Sequence, residues 1–209
     1  MRLSAGPPYA PAPLRVDVLP AGVGPAAAAA ATASALTAAA LAGTPYDLAV
    51  SAGIGGGFAR AALGSVVVAD AIVAADLGAQ TPDGFAAVTD LGFGTVEHRP
   101  PAGLARAAAR AAGAVRGTVL TVSTVTGSAA RTAELLDRHP DAVAEAMEGF
   151  GVAEAAAAHG VPVLEVRAVS NAVGPRDRAA WRIRDALDAL AAAFGALVPV
   201  LATWEEDPG

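Results

Sequence analysis

A glutamate set among apolar residues, a serine–asparagine pair closing an apolar run, and a glycine-rich segment are the features of this sequence that could do chemistry. Glu148 lies in AEAMEGFG (144–151), with Ala144, Glu145, Gly151 and Val152 at the three- and four-residue offsets that share a helix face. A carboxylate so placed either works on a ligand or pairs with an arginine at a helix edge. Gly149 and Gly151 each cost a helix about 1 kcal/mol relative to alanine, which points to a close approach to the backbone there. Ser170 and Asn171 end the run VPVLEVRAVSN (161–171), just before the Gly174-Pro175 turn. Ligands of open α/β sheets collect at such carboxyl ends of strands. GIGGGFA (53–59) follows another predicted strand. Its glycines either bring backbone N–H groups up to a ligand or form a plain turn. The spacing matches neither a Walker loop nor a full dinucleotide fingerprint.

Other chemistries find little support. His98, His139 and His159 stand apart, with no second ligand at metal spacing, so no metal site is expected. A nucleophile elbow is absent, and His159 sits beside Gly160, where an imidazole meets the terminal carbonyls of a helix. Asp70, Asp76, Asp83 and Asp90 fit turns rather than a calcium loop. With no cysteine there is neither a disulfide framework nor thiolate chemistry. The formal charge is −6 and all 14 basic residues are arginine, which argues against nucleic acid or an anionic membrane as the main partner. The apolar runs are short or alanine-rich, so neither a signal peptide nor a membrane span is expected, and the cytoplasm is the default location.

The elements that must position these residues alternate between strand and helix. Residues 1–13 are rich in Pro and Gly and predict a loose arm, followed by a short strand (14–19), a Gly-Val-Gly-Pro turn (22–25) and an alanine-rich helix to about Leu41. Further strands are expected at 46–52, within 63–75, at 117–122 and at 161–170, with an edge hairpin within 76–95. Helices are expected at 100–112, where Arg106 and Arg110 share a face, and after Ser128, a credible N-cap. One long helix is predicted from beyond Pro140 to Gly160, carrying Glu148 inside it, and an amphipathic one at 178–194. Glu165 and Arg167 interrupt the strand at 161–170 and point to one face. The expected fold is a single α/β domain over 14–204, a mixed central sheet flanked by helices, with an acidic tail at 205–209.

GIGGGFA, VSTVTGS (122–128), EAMEGFG and VRAVSNAVGPRDRAAW (166–181) together resemble the purine nucleoside phosphorylase and nucleosidase superfamily, over residues 14–194. Within it the last two motifs look most like the futalosine hydrolases, nucleosidases of an alternative menaquinone pathway. The resemblance implies release of hypoxanthine by hydrolysis of an N-glycosidic bond, without a cofactor, in a homo-oligomer acting on a small-molecule nucleoside. It implies that Glu148, with Met147, holds the ribose hydroxyls. Asn171, after Ser170, would meet the purine at N7 and its 6-position; an amide NH₂ suits a 6-oxopurine, whereas relatives acting on 6-aminopurines carry Asp there. Thr124 and Val125 would line the base, and Gly55 and Gly56 the sugar. Trp181, Arg176 and Arg178 either meet the acidic aromatic 5′ tail of the substrate or face solvent. The family's water-activating glutamate belongs to an Ala-Thr-x-x-Glu-like segment, and the sole carboxylate here before Asp47 is Asp17. The expectation is that this glutamate lies upstream of the sequence, or that rate is reduced by about 10²–10⁴-fold. A phosphorolytic enzyme, for which Arg60 would be the one arginine near the glycine segment, and an inactive nucleoside-binding paralogue are the competing readings.

Overall fold

The computed structural model describes residues 14–204. Strands β1 (Ala49–Gly57), β2 (Val66–Ala74), β6 (Val115–Thr121), β7 (Ala142–Ala146) and β8 (Val163–Ala172) form the centre, in the order β2-β6-β7-β1-β8. Val66–Val68 of β2 then pair antiparallel with Ala168–Val166 of β8, so the sheet closes into a distorted barrel. The two-residue β5 (Glu97–His98) extends the other half of β2 at Ile72 and Val73. β3 (Gly78–Thr81) and β4 (Gly84–Ala87) form a separate hairpin, as expected for residues 76–95. Helices α1 (Pro25–Leu41), α2 (Ala102–Ala112), α3 (Ala129–Arg138), α4 (Gly149–Ala158) and α5 (Ile183–Thr203) cover the barrel.

Composition accounts for most of these elements. β2 and β8 are runs of β-branched and apolar residues, buried on both faces as central strands require. Ser128 caps α3, its Oγ accepting from the Arg131 N–H at 3.2 Å. The core is alanine- and valine-rich and centres on α4, where Phe150, Val152, Ala153 and Ala156 are buried against the barrel. A helix apolar all round belongs in such an interior position.

Several expectations are corrected. The single helix predicted from Pro140 to Gly160 is a strand, β7, followed by the shorter α4, and Glu148 occupies the N-cap position rather than the helix interior. Alanine favours helix, but AVAEA fills the slot between β6 and β1, and the backbone pairing available there overrides that preference. Residues 14–19 form no strand. LRVDVL alternates as a strand should, yet no sheet edge adjoins it among the described residues, and Val16 and Val18 stay exposed. The Tyr46 hydroxyl donating to Asp17 at 2.8 Å anchors it instead. The predicted strand at 46–52 starts later and runs on to Gly57, taking in most of the glycine-rich segment. The C-terminal helix starts at Ile183, after a short 3-10 turn at Arg178–Ala180, and continues through Pro199 to Thr203, beyond the expected end at 194. By length and composition alone α5 is long and apolar enough to cross a membrane. In this fold Ala186, Ala193 and Leu197 are buried, and Leu190 and Phe194 join the cluster around Leu104 on α2. The arm at 1–13 and the tail at 205–209 lie outside the described residues.

Gly151 shows how closely the helices approach. A Cβ there would overlap the Pro25 carbonyl at the start of α1. Gly151→Ala should therefore destabilise the protein by about 1–3 kcal/mol in urea unfolding, although alanine is the better helix former.

Candidate active site

The carboxyl ends of β1, β7 and β8 converge, because β1 meets β7 antiparallel only through Gly56 and Gly57 while pairing with β8 along its whole length. Over this junction lies a cavity of about 1450 Å³. Its polar part is lined by Gly55, Gly56, Met147, Glu148, Ser170 and Asn171, all expected from the sequence, together with Arg167, Thr126 and Glu145. Val125 and Trp181 also reach it. Thr124 is exposed and does not line it. Beyond Glu148 the cavity continues as an apolar cleft between residues 14–20 and α5, lined by Leu36, Phe194 and Trp204 among others.

Glu148 is fixed from two directions. One oxygen receives Arg167 Nη1 at 3.1 Å, and the other the backbone N–H of Gly24 at 3.4 Å, at the start of α1. The carboxylate thus stands at the N-terminal ends of both α1 and α4, where helix dipoles favour negative charge. Its side chain keeps 22% exposure, so part of its acceptor capacity faces the cavity. Glu148 is thus paired with an arginine and also lines the cavity.

Arg167 is the hub of this arrangement and is 2% exposed. Nε donates to Glu165 at 2.9 Å, Nη2 to the Ser51 hydroxyl at 2.9 Å, and Nη1 to Glu148. Glu165 is wholly buried, and burial pushes its carboxyl above the ordinary range, opposed by the charge and hydrogen bond of Arg167 and assisted by the charge of Glu148.

The glycines of 53–57 serve this packing. They lie in β1 without positive φ, so they form no turn, which corrects that sequence reading, and Gly55 and Gly56 line the cavity. A Cβ on Gly53 would stand 2.5 Å from Arg167 Nη1, and one on Gly56 would stand 3.2 Å from Asn171 Nδ2. Each glycine makes room for a side chain arriving from β8. Gly149 does the same on α4, where a Cβ would overlap the Glu165 carboxylate.

At the end of β8 the Ser170 hydroxyl donates to Asn171 Oδ1 at 2.8 Å, and Asn171 Nδ2 donates to the Ala172 carbonyl at 3.0 Å. With Oδ1 engaged, the amide has a second N–H left to donate. The 123–126 loop is held at both ends, Ser123 N–H donating to Asp76 at 2.7 Å and Thr126 N–H to the buried Glu145 at 2.9 Å. Sequence reasoning missed Ser51, Thr126 and Glu145, which carry no spacing signal; Glu165 and Arg167 were visible as opposite charges two residues apart in an apolar run. Arg60 pairs with Asp141 at 3.5 Å, outside the cavity. His98 meets Glu154 at 3.1 Å, His159 donates to the Ala155 carbonyl at 2.8 Å, and the half-buried His139 has its pKa lowered by desolvation. No group of three metal-ligating side chains occurs among the described residues.

Residues 15–201 match the phosphorylase superfamily. The futalosine hydrolase of Streptomyces coelicolor is 75% identical over 190 residues, covering 90% of this chain and 81% of that protein. This chain belongs to the futalosine hydrolase family of the phosphorylase superfamily. The fold agrees with solved members. A futalosine hydrolase mutant of Helicobacter pylori superposes with a TM-score of 0.71 at 19% identity, covering 86% of this chain and 78% of that one. The 5′-methylthioadenosine/S-adenosylhomocysteine nucleosidase of Neisseria meningitidis, in complex with methylthio-immucillin-A, gives 0.71 at 22% identity, covering 86% and 79%. The mixed α/β domain expected from the sequence is the fold of this family, with its sheet closed into a barrel.

The Glu165 shift has a definite sign. A folded-state pKa above the unfolded value means that the folded protein binds this proton more tightly. That contribution is present below the ordinary glutamate range and is lost as pH rises through the folded value. The unfolding free energy of wild type minus that of Glu165→Gln should therefore fall as pH is raised from about 4 to 7. Denaturant titrations across that range check it.

Proposed function

We propose that this protein is a nucleosidase that hydrolyses the N-glycosidic bond of futalosine and releases hypoxanthine, a step in menaquinone biosynthesis. The observation that carries the reading is the meeting, in one cavity, of a partly buried glutamate fixed for hydroxyl binding and an asparagine whose amide is set to donate. The 75% identity to a futalosine hydrolase supports the choice of substrate.

Breaking the bond leaves positive charge on the ribose and negative charge on the departing base, and catalysis requires groups that favour both. In this reading Glu148 accepts from the ribose hydroxyls beside Met147, fixes the ring and favours its cationic character. Asn171 donates to the hypoxanthine edge, where a carboxylate would repel the 6-oxygen. Ser170 keeps the amide in that orientation, Val125 lines the base, and Gly55 and Gly56 pass beneath the sugar. Arg176, 5.8 Å from the Trp181 ring, forms with it a patch suited to an acidic aromatic 5′ substituent. The cavity exceeds the roughly 300–1,000 Å³ usual for small ligands, which leaves room for such a tail. Asp17 is engaged by Tyr46 and Arg15, and water activation in this reading belongs to the family's Ala-Thr-x-x-Glu segment.

Hydrolysis is favoured over phosphorolysis because Arg60 lies outside the cavity and each nitrogen of Arg167 already donates, to Glu165, Glu148 and Ser51. We further infer a cytoplasmic homo-oligomer. α5 carries exposed Ile183 and Leu187, which do not line the cavity and offer an apolar surface suited to a second copy, and light scattering after gel filtration would return a monomer mass if this is wrong.

Chromatography of futalosine, inosine and methylthioadenosine digests, with and without phosphate, tests the activity. Hypoxanthine should appear from futalosine in phosphate-free buffer; a strict phosphate requirement would support the phosphorylase reading, and ligand binding without product the inactive paralogue. Glu148→Gln should cut kcat/KM by about 10–100-fold. Asn171→Asp should move the preference from 6-oxo to 6-aminopurine substrates. Trp181→Ala should raise KM for futalosine more than for inosine.

A further inference from the structure

The cavity-facing residues account for contacts to a nucleoside, but the wholly buried Glu165 touches none of the cavity and is costly to keep. A carboxylate inside an apolar strand is retained where it fixes something else. Glu165 holds Arg167 through Nε, and that bond sets the plane of the guanidinium. With Nε on Glu165 and Nη2 on Ser51, Nη1 has one remaining direction, toward Glu148 Oε2. Two glycines keep the track clear: Gly149 leaves space for the Glu165 carboxylate, and Gly53 leaves space for Arg167 Nη1. The second Glu165 oxygen, Oε2, has no hydrogen-bond partner among the described residues. The carboxylate therefore has one polar attachment, to Arg167, and no second partner competing for it.

We propose that Glu165 is a positioning residue for ribose recognition, acting through Arg167 to set the orientation of the Glu148 carboxylate. This rests on the reading of Glu148 as the ribose ligand. The role requires an oxygen acceptor at the place of Glu165 Oε1. It does not require a charge there, since either oxygen acid or amide can receive the Nε–H.

The test compares a nucleoside that has the 2′-hydroxyl with one that lacks it, so that general damage to the fold cancels. Inosine and 2′-deoxyinosine are titrated calorimetrically into wild type, Glu165→Met, Glu165→Asp and Glu165→Gln, and hypoxanthine release from futalosine is followed on the same preparations. Wild type should prefer inosine by about ten-fold, the discrimination expected of one charge-assisted hydrogen bond. Met removes the acceptor at similar volume, and Asp withdraws it by about 1.5 Å, so both should reduce the preference to about three-fold or less. Gln keeps an acceptor oxygen and should stay within about two-fold of wild type. Should Met fail to fold, Asp reads the same quantity. An unchanged preference in folded Met or Asp, or its loss in Gln, overturns the positioning role. Absence of hypoxanthine from wild type overturns the proposed activity instead, and the binding ratio still decides the role of Glu165.

Discussion

The site depends on one guanidinium taken out of water. Arg167 lies 2% exposed on a central strand, and a charge so placed is tolerable only if its donors are met by well-aligned acceptors. Three elements supply them: Glu165 on the same strand, Ser51 on β1, and Glu148 at the junction of β7 and α4. Much of the local design follows from housing that group. β1 carries glycines at 53, 55, 56 and 57 beside β8, and α4 begins with a glycine. The first turn of α4 is then satisfied from outside, Phe150 N–H donating to the Thr121 hydroxyl at 2.9 Å rather than to a capping side chain of its own.

The same constraint explains why Glu148 sits where it does. Inside a helix its carboxylate would stand beside other side chains. At the N-cap of α4, facing the start of α1, it meets the Gly24 N–H and the positive ends of two helix dipoles. A ligand hydroxyl entering the cavity then finds an acceptor already oriented, and less ordering remains to be done on binding.

How far the sequence discloses this differs from residue to residue. The β8 run is legible because β-branched residues in an uninterrupted row have few other uses, and Ser170-Asn171 at its end followed from that assignment. Ser128 is legible because capping is local chemistry. Residues 142–158 are not. Their alanines show no period that separates strand from helix, and the decision lies with the pairing slot between β6 and β1, which no local pattern encodes. The glycines of 53–57 mislead for a related reason: a residue without a side chain looks the same in a turn as under a neighbour's arginine. Closure of the sheet through β2 and β8 joins segments about a hundred residues apart, and periodicity carries no record of it.

Closure of the ring also bears on the order of events in folding. The Ser170 hydroxyl reaches the Gly55 carbonyl across 115 positions of chain, and Arg167 reaches Ser51 across 116. Contacts this remote carry a loop-closure cost that local contacts do not, and they tend to form late. The α1 and α2 segments, and the hairpin of β3 and β4, can organise early without creating any part of the pocket. The polar half of the cavity comes into being only when the last long strand docks beside the first. A nucleoside can therefore bind only to the completed ring, and its binding energy adds wholly to the stability of that state rather than to any partly assembled form.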